Sequence, residues 1–123
     1  MVQVKKERFP SENRLRKRWQ FLEIQNSGQK TVSRFFIGLA ITQDSDKTIR
    51  IGIAASKRYA NAVGRNRIKR LIREAFRREI IKLPEGCNLV IVPKKFAKNQ
   101  KSSLIFEDLS SLGNQISSLM GAN

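Results

Sequence analysis

The segment from Arg65 to Arg78, RNRIKRLIREAFRR, constrains the fold more than any other part of the chain. Its apolar residues recur at the spacing of one helix face: Ile68, Leu71, Ile72, Ala75 and Phe76. Seven of its fourteen side chains are Lys or Arg, and at about 100° per residue they fall outside that apolar stripe. The pattern predicts a helix that packs on a core along one side and presents a basic surface on the other.

The whole chain is strongly basic, with 25 Lys and Arg against 10 Asp and Glu and a formal net charge of +15. Such a charge repels itself in the folded state, which indicates an anionic partner. Charged helix faces are often only solvated, but most of the charge here is Arg, whose planar guanidinium suits phosphate. The charge also continues outside the helix, in Lys57, Arg58, Lys94, Lys95 and Lys98. We therefore expect a nucleic-acid-binding protein.

The length of 123 residues predicts one RNA-binding domain over 1–123, with residues 1–10 as a flexible basic arm. Its one cysteine, Cys87, cannot form an internal disulfide and indicates a reducing compartment. The N-terminal segment has no apolar signal-peptide core, and no run approaches the ~20 apolar residues of a membrane span. We expect a cytoplasmic protein that does not contact membrane.

Patterns before the basic helix predict one helix and two strands. Ser11 is the predicted N-cap of a helix over 14–25, whose inward side chains would be Leu15, Trp19, Phe21 and Leu22. The runs 31–42 and 48–55 have strand composition and, with turn chemistry at 43–46, are most simply a hairpin. The phenylalanines Phe21, Phe35 and Phe36 could stack unpaired bases or belong to the core.

From residue 61 onward the patterns predict two helices separated by a strand. Asn61 is the candidate N-cap of the basic helix, which ends at 83–86 and is followed by a buried strand over 88–92. After a basic loop over 93–103, the closing helix over 104–120 has these inward positions: Ile105, Leu109, Leu112, Ile116 and Leu119. The order predicts a single α/β sandwich, and the general rule would make its crossover through the basic helix right-handed.

Catalytic residues are scarce. Histidine is absent, which removes the commonest general base and metal ligand. Asp44 and Asp46 lie in the predicted turn, and Glu107 and Asp108 in the last helix are expected to favour its dipole. Cys87 is expected to be a buried structural residue. We therefore expect neither a catalytic site nor a metal site in the protein itself.

The run GIAASKRYANAVGRNRIKRLIREAFR closely resembles the signature of the protein component of bacterial ribonuclease P. The matching features are Ser56-Lys57 after a strand, the turn Asn61-Ala62-Val63, and Arg65-Asn66-Arg67 in the helix. Asn13-Arg14-Leu15 and NLVIVPKK extend the match, which covers about residues 9–120.

The resemblance implies an α+β fold, a two-layer α/β sandwich like the second domain of a small-subunit ribosomal protein, with a left-handed βαβ crossover instead of the right-handed one. It implies that a catalytic RNA subunit removes the 5′ leader of precursor tRNA, using Mg²⁺ held mainly by the RNA. The protein would bind both RNAs without needing a protein partner.

Two binding surfaces follow from the resemblance. The catalytic RNA would be contacted by Arg65, Asn66, Arg67, Lys69, Arg70 and Arg73. A cleft for the 5′ leader would be formed by Arg14, Lys17, Phe21, Ser56, Lys57, Arg58 and Asn61.

The chain departs from the family pattern at three positions. Ala60 stands where Gly is frequent, which argues against a positive φ there. Gln25 and Leu39 replace cleft positions that are often aromatic, which predicts weaker stacking of the leader. Two further classes, a ribosomal or other structural RNA-binding protein and a stand-alone nuclease, remain alternatives at the level of the residues.

Overall fold

The computed structural model describes residues 11–43 and 46–120, so the predicted arm at 1–10 lies outside it. The described part has a four-stranded sheet and three α-helices, which confirms the α+β class. The strands are β1 (Gln29–Val32), β2 (Phe36–Thr42), β3 (Arg50–Ile53) and β4 (Cys87–Pro93). The helices are α1 (Arg18–Ser27), α2 (Ala62–Arg77) and α3 (Ser102–Met120).

The sheet order is β1-β2-β4-β3, so the hairpin predicted between 31–42 and 48–55 is wrong. Strand β4 lies between β2, to which it is antiparallel, and β3, to which it is parallel. Its side chains explain the insertion, because Leu89, Val90 and Ile91 are all fully buried and need cover on both faces. The β3-α2-β4 unit has the predicted connectivity, and its left-handed crossover stays a prediction of the resemblance.

The predicted strand 31–42 is broken by a turn at residues 33–35, and its two parts form the β1-β2 hairpin. The carboxylate of Asp108 in α3 stabilises this turn. Its Oδ2 accepts hydrogen bonds from the Ser33 hydroxyl at 2.7 Å and the Phe35 amide at 2.8 Å. Lys94 Nζ donates to the Ser33 carbonyl from the other side, at 2.7 Å. The expected dipole role of Asp108 is therefore wrong, because its carboxylate joins α3 to the turn between β1 and β2 through long-range hydrogen bonds.

Helix α1 begins at Arg18 with Lys17 as N-cap, so the predicted start at residue 14 after Ser11 is wrong. The preceding residues pair instead with the outer edge of β3, where the Leu15 amide donates to the Ile51 carbonyl at 3.1 Å. Leu15 is buried there, before the helix starts.

The predicted inward face of α1 is only partly correct. Trp19 and Leu22 are 61% and 43% exposed, whereas Ile24 is 1% exposed and is the helix residue that reaches the core. Phe21 is half-buried. Fewer apolar side chains of α1 are therefore buried against the sheet than its sequence predicted.

Each face of the sheet supports its own apolar cluster. The main cluster joins α2 and α3 to one face through residues such as Phe36, Ile68, Ile72, Leu109 and Ile116. Phe35 and Phe36 are 2% and 0% exposed and belong to this core, so they are unavailable for base stacking. The opposite face and α1 share a smaller cluster built on Leu15, Ile24 and Val90.

Both ends of α2 are set by short-range contacts. The predicted cap at Asn61 is confirmed, since its Oδ1 accepts from the Gly64 amide at 2.9 Å. Ala60 does not have a positive φ, as expected, and a Cβ on Gly64 would stand 2.7 Å from the Ala60 Cβ. The helix ends at Arg77, before the predicted 83–86, because Glu79 turns the chain with φ 60°.

Three of the predicted inward positions of α3 are fully buried, Ile105, Leu109 and Leu112, and Ile116 is 1% exposed. Leu119 is 54% exposed, which makes that prediction wrong. In the last turn it is Met120 that packs against the main core.

Candidate nucleic-acid interface

Helix α2 has the two faces that its sequence predicts. Ile68, Ile72 and Ala75 are fully buried against the main core. On the opposite side Asn66 and Arg70 are exposed. Because the apolar stripe is fixed in the core, the basic face has a defined orientation.

Two arginines of this face also bind the protein itself. Arg65 Nη1 donates to the Ala60 carbonyl at 2.9 Å. On the other flank of the helix, Arg67 Nη2 donates to the Gln100 carbonyl at 2.6 Å, which ties α2 to the loop before α3. A guanidinium carries five N–H donors, so each side chain keeps donors for a phosphate. These contacts hold the two guanidiniums in place before any ligand binds.

The flank of α2 opposite Arg67 carries three more cations, Arg65, Lys69 and Arg73. Successive members of this set are about 40° apart around the helix axis. Arg73 is half-buried, and burial lowers the pKa of its guanidinium, with a further lowering by the charge of Arg14. Arg14 lies at the outer edge of β3, where it forms a bridge with Ile51. The two arginines were predicted to belong to different surfaces, yet they are electrostatic neighbours.

The predicted cleft lies on the sheet face that α1 partly covers. Leu39 and Val90 are cross-strand partners on that face, and Gly52 is the partner of Val90 on the other side. A Cβ built on Gly52 would stand 2.5 Å from the Phe21 ring and 3.0 Å from the Leu15 Cβ. Glycine at this position therefore lets the Phe21 ring lie directly on the sheet.

Gly52 was not among the predicted site residues. An isolated glycine inside a strand is a signal of close approach by another group, and it could have been used. Gln25, four residues after Phe21 on α1, is exposed, and Leu39 is half-buried in the cleft floor. Gln25 and Leu39, two of the three departures from the family pattern, thus lie on the helix and the strand that form the cleft.

The other predicted cleft residues lie at the carboxyl end of β3 or at the start of α1. Lys57 and Arg58 are exposed in a turn, where the Ser56 hydroxyl accepts from the Arg58 amide at 3.2 Å. Lys17 is exposed at the start of α1. Asn61 was predicted in the cleft, but its side-chain oxygen caps α2. Ser56 therefore has a structural contact that the prediction did not include, whereas the cap at Asn61 was predicted.

No group of three Cys, Asp or Glu side chains within 11–43 and 46–120 could hold a metal ion. Asp46 has the predicted turn role, because its Oδ1 accepts from the Thr48 amide at 2.9 Å and its Oδ2 from Arg50 at 2.9 Å. These bonds lower its pKa to about 2. Asp44 lies outside the described residues. The described carboxylates therefore do not form a ligand set for Mg²⁺.

Cys87 is fully buried at the start of β4, as predicted. Desolvation by burial raises the pKa of its thiol to about 12. A neutral, enclosed thiol is neither a nucleophile nor a ready metal ligand.

Among the described helices, none is long and apolar enough to cross a membrane.

Comparison with known proteins gives one family. The family model described as Ribonuclease P matches residues 9–117. The ribonuclease P protein component of Desulforapulum autotrophicum is 34% identical over 108 residues, which are 88% of this chain and 92% of that protein. The Bacillus pumilus protein of the same name is 38% identical over 96 residues, 78% of this chain and 77% of its own length.

Solved structures agree with the sequence comparison. The Staphylococcus aureus RNase P protein superposes with a TM-score of 0.77 at 27% identity, covering 84% of this chain and 94% of that one. The RNase P protein from Thermotoga maritima gives a TM-score of 0.70 at 30% identity, covering 82% and 96%.

Proposed function

We propose that this chain, which belongs to the ribonuclease P protein family and is an accessory subunit of that tRNA-processing enzyme, holds two RNAs on adjoining surfaces. The basic face of α2 binds the RNA subunit with which the protein works. The cleft between α1 and the sheet binds the single-stranded 5′ leader of precursor tRNA.

The observation that carries this proposal is the basic face of α2, which the buried stripe of Ile68, Ile72 and Ala75 holds in one orientation. Arg73 belongs to the basic helix and Arg14 to the segment that leads into α1, and the charge of one lowers the pKa of the other. Two guanidiniums that repel each other are stabilised by an anion between or beside them. Arg73 and Arg14 therefore offer an anionic partner a shared positive region near the edge of β3.

The cleft has the features of a single-stranded RNA site. The half-buried Phe21 ring offers a stacking surface. Lys17 and Lys57 are exposed cations for the backbone phosphates. The partly covered apolar floor at Leu39 and Val92 excludes water from part of this surface.

The chemistry of leader removal belongs to the RNA subunit in this proposal. Mg²⁺ would be held mainly by the RNA, and the described residues contain no cluster for it. The protein contributes binding and alignment, which lower the Mg²⁺ concentration that the RNA needs. We also propose that this occurs in the cytoplasm, where a single free cysteine would stay reduced.

The decisive experiment incubates precursor tRNA with the RNA subunit at low Mg²⁺, with and without the protein. We expect leader release to accelerate only when both are present. Cleavage by the protein and Mg²⁺ alone would indicate a stand-alone nuclease. RNA binding without any change in cleavage would indicate a structural RNA-binding protein.

A matched pair of variants tests the role of the α2 face. Arg70 is exposed on the side of α2 away from the buried stripe, so Arg70→Glu should weaken binding of the RNA subunit while leaving the unfolding transition unchanged. The control variant Lys82→Glu makes the same change in net charge at an exposed position beyond the C-terminal end of α2. Equal losses in both variants would mean that overall charge, not the α2 face, drives binding.

A further inference from the structure

Phe96 is 71% exposed, more than the exposed Trp19 at 61%. It lies in the single 3₁₀ turn Lys95–Ala97 that follows β4. Its ring forms one side of a cavity of about 340 Å³, whose other walls are Arg34, Phe35 and Gln100. We call this cavity the Phe96 groove.

The groove is built on a fixed loop. The neighbouring Ala97 is fully buried, and its amide donates to the Lys94 carbonyl at 2.9 Å. At the far end of the loop, the Gln100 carbonyl accepts from Arg67 of α2 at 2.6 Å. An exposed ring on a loop tied down at both ends has little conformational freedom to lose on binding.

Arg34 is the charged residue in the lining of the groove, and further cations lie along the loop that carries Phe96. Lys95, Lys98 and Lys101 are exposed along the loop. The Arg34 guanidinium lies 4.9 Å from the centroid of the Phe35 ring, at the wall of the groove. An apolar slot framed by cations matches an unpaired base with its flanking phosphates better than it matches an apolar peptide.

The nearby carboxylates line a different cavity. Glu107 and Asp108 line a space of about 160 Å³ that shares Arg34 and Phe35 with the groove. Asp108 is already occupied by the turn at 33–35, where it accepts hydrogen bonds from Ser33 and Phe35. Negative charge therefore does not line the Phe96 groove itself.

We propose that Phe96 stacks on an unpaired base of the RNA subunit, with Lys98 and Lys101 on the flanking phosphates. This rests on the proposed docking of α2 on that RNA. The groove is assigned to the RNA subunit because Arg67 joins its loop to α2, and because its Phe35 wall belongs to the core shared by α2 and α3. The leader cleft lies on the opposite face of the sheet.

The first test measures affinity for the RNA subunit. Loss of one stacked base corresponds to about 5- to 140-fold weaker binding, so we expect Phe96→Ala and Phe96→Leu to lose that much and Phe96→Tyr to retain affinity. The dependence of affinity on salt should keep its slope in Phe96→Ala and become shallower in Lys98→Ala, since only the latter removes a phosphate contact. Leu119→Ala, which removes another exposed apolar side chain, is the control. Binding by Phe96→Ala within twofold of the parent would overturn the proposal.

The second test identifies the RNA that occupies the groove. Trp19 is the one tryptophan of the chain, so Phe96→Trp in a Trp19→Phe background gives a single fluorophore in the groove. We expect the RNA subunit alone to quench its emission. Quenching only after precursor tRNA is added, or no quenching by either RNA, would overturn the assignment. A parent protein that fails to bind the RNA subunit would overturn the proposed function as well, whereas intact parent binding confines the failure to Phe96.

Discussion

Replacing Gly52 by alanine should move the Phe21 ring and weaken leader binding without disturbing α2. The new Cβ would stand 2.5 Å from the Phe21 Cζ and 2.6 Å from its Cε1, distances at which something must shift. The Leu15 Cβ at 3.0 Å closes the other side, so the new methyl cannot simply tilt away. The ring is the group that has room to move, because Phe21 is only half-buried.

The magnitude follows from two opposing effects. Overpacking of a tight site costs roughly 1–3 kcal/mol. Gly52 does not have a left-handed φ, so alanine fits its backbone and gains about 0.4–1 kcal/mol by restricting the unfolded chain. The free energy of unfolding should therefore fall by about 1–2 kcal/mol.

A double-mutant cycle in urea isolates the contact. Phe21→Ala removes the obstructing ring, so Gly52→Ala should cost close to nothing in that background. Gly38→Ala on β2, which β4 separates from β3, is the control, because its Cβ would meet side-chain ends at 3.3–3.4 Å, those of Ile116, Leu89 and Leu112. If the costs of Gly52→Ala and Phe21→Ala simply add, the proposed stacking of the ring on the glycine is refuted. In the holoenzyme, Gly52→Ala should reduce affinity for precursor tRNA by about fivefold or more while the affinity of the protein for the RNA subunit stays unchanged.

Four other outcomes are expected. Asp108→Ala removes the carboxylate that accepts hydrogen bonds from Ser33 and Phe35, so it should lower the free energy of unfolding by about 2 kcal/mol. Glu107→Ala is the exposed control, and equal unfolding midpoints for the two variants would show that these hydrogen bonds do not stabilise the turn. Gln25→Phe adds a ring beside Phe21 and should strengthen leader binding in affinity or cross-linking assays, and an unchanged affinity would sink the stacking argument. Cys87 has its pKa raised to about 12, so its thiol should resist alkylation in the native state, and its contribution to stability should be complete below about pH 9 and lost as the pH rises towards 12; rapid native labelling would disprove this. Affinity for the RNA subunit should fall by about three decades from 50 to 200 mM salt if roughly six phosphate contacts form, and a shallow dependence would count against the roles of Arg67 and Arg70.

The start and the two faces of helix α2 could be predicted because one segment holds the information for them, whereas its predicted end at 83–86 was wrong. Its apolar stripe, its Asn61 cap and its basic face are all encoded within about five turns of helix. The buried strand β4 was equally clear, since the run from Leu89 to Val92 is apolar on both faces. Local patterns of this kind do not depend on which partner the element later finds.

The errors occurred where a distant residue decides the local structure. The break between β1 and β2 is stabilised by Asp108, which lies 75 positions after Ser33, and no glycine or proline marks the turn. Likewise the residues before α1 are drawn into pairing with Ile51, which delays the helix beyond its predicted start. The prediction that β2 pairs with β3 was wrong for the same reason. These strands are consecutive in the sequence, but the more apolar strand β4 lies between them in the sheet.

The two proposed surfaces differ in how well sequence reasoning could define them. The cationic residues of α2 were identifiable from charge and spacing alone. The proximity of Arg14 and Arg73 depends on how the N-terminal segment pairs with β3, and Phe96 becomes notable only because its ring stays outside the core. Resemblance to the family supplied the cleft, and the glycine inside β3 signals a close approach there without identifying the Phe21 ring as the approaching group.

The central position of β4 has a consequence for synthesis of the protein. While the chain is being made, the β1-β2 hairpin and β3 have no hydrogen-bonding partner in common until residues 87–93 leave the ribosome. Helix α2 is complete earlier, but a helix of 16 residues is marginal in water without the surface on which it packs. The nascent chain is therefore expected to present its arginines as an unstructured polycation, with the ordered RNA-binding face forming only after β4 has been made.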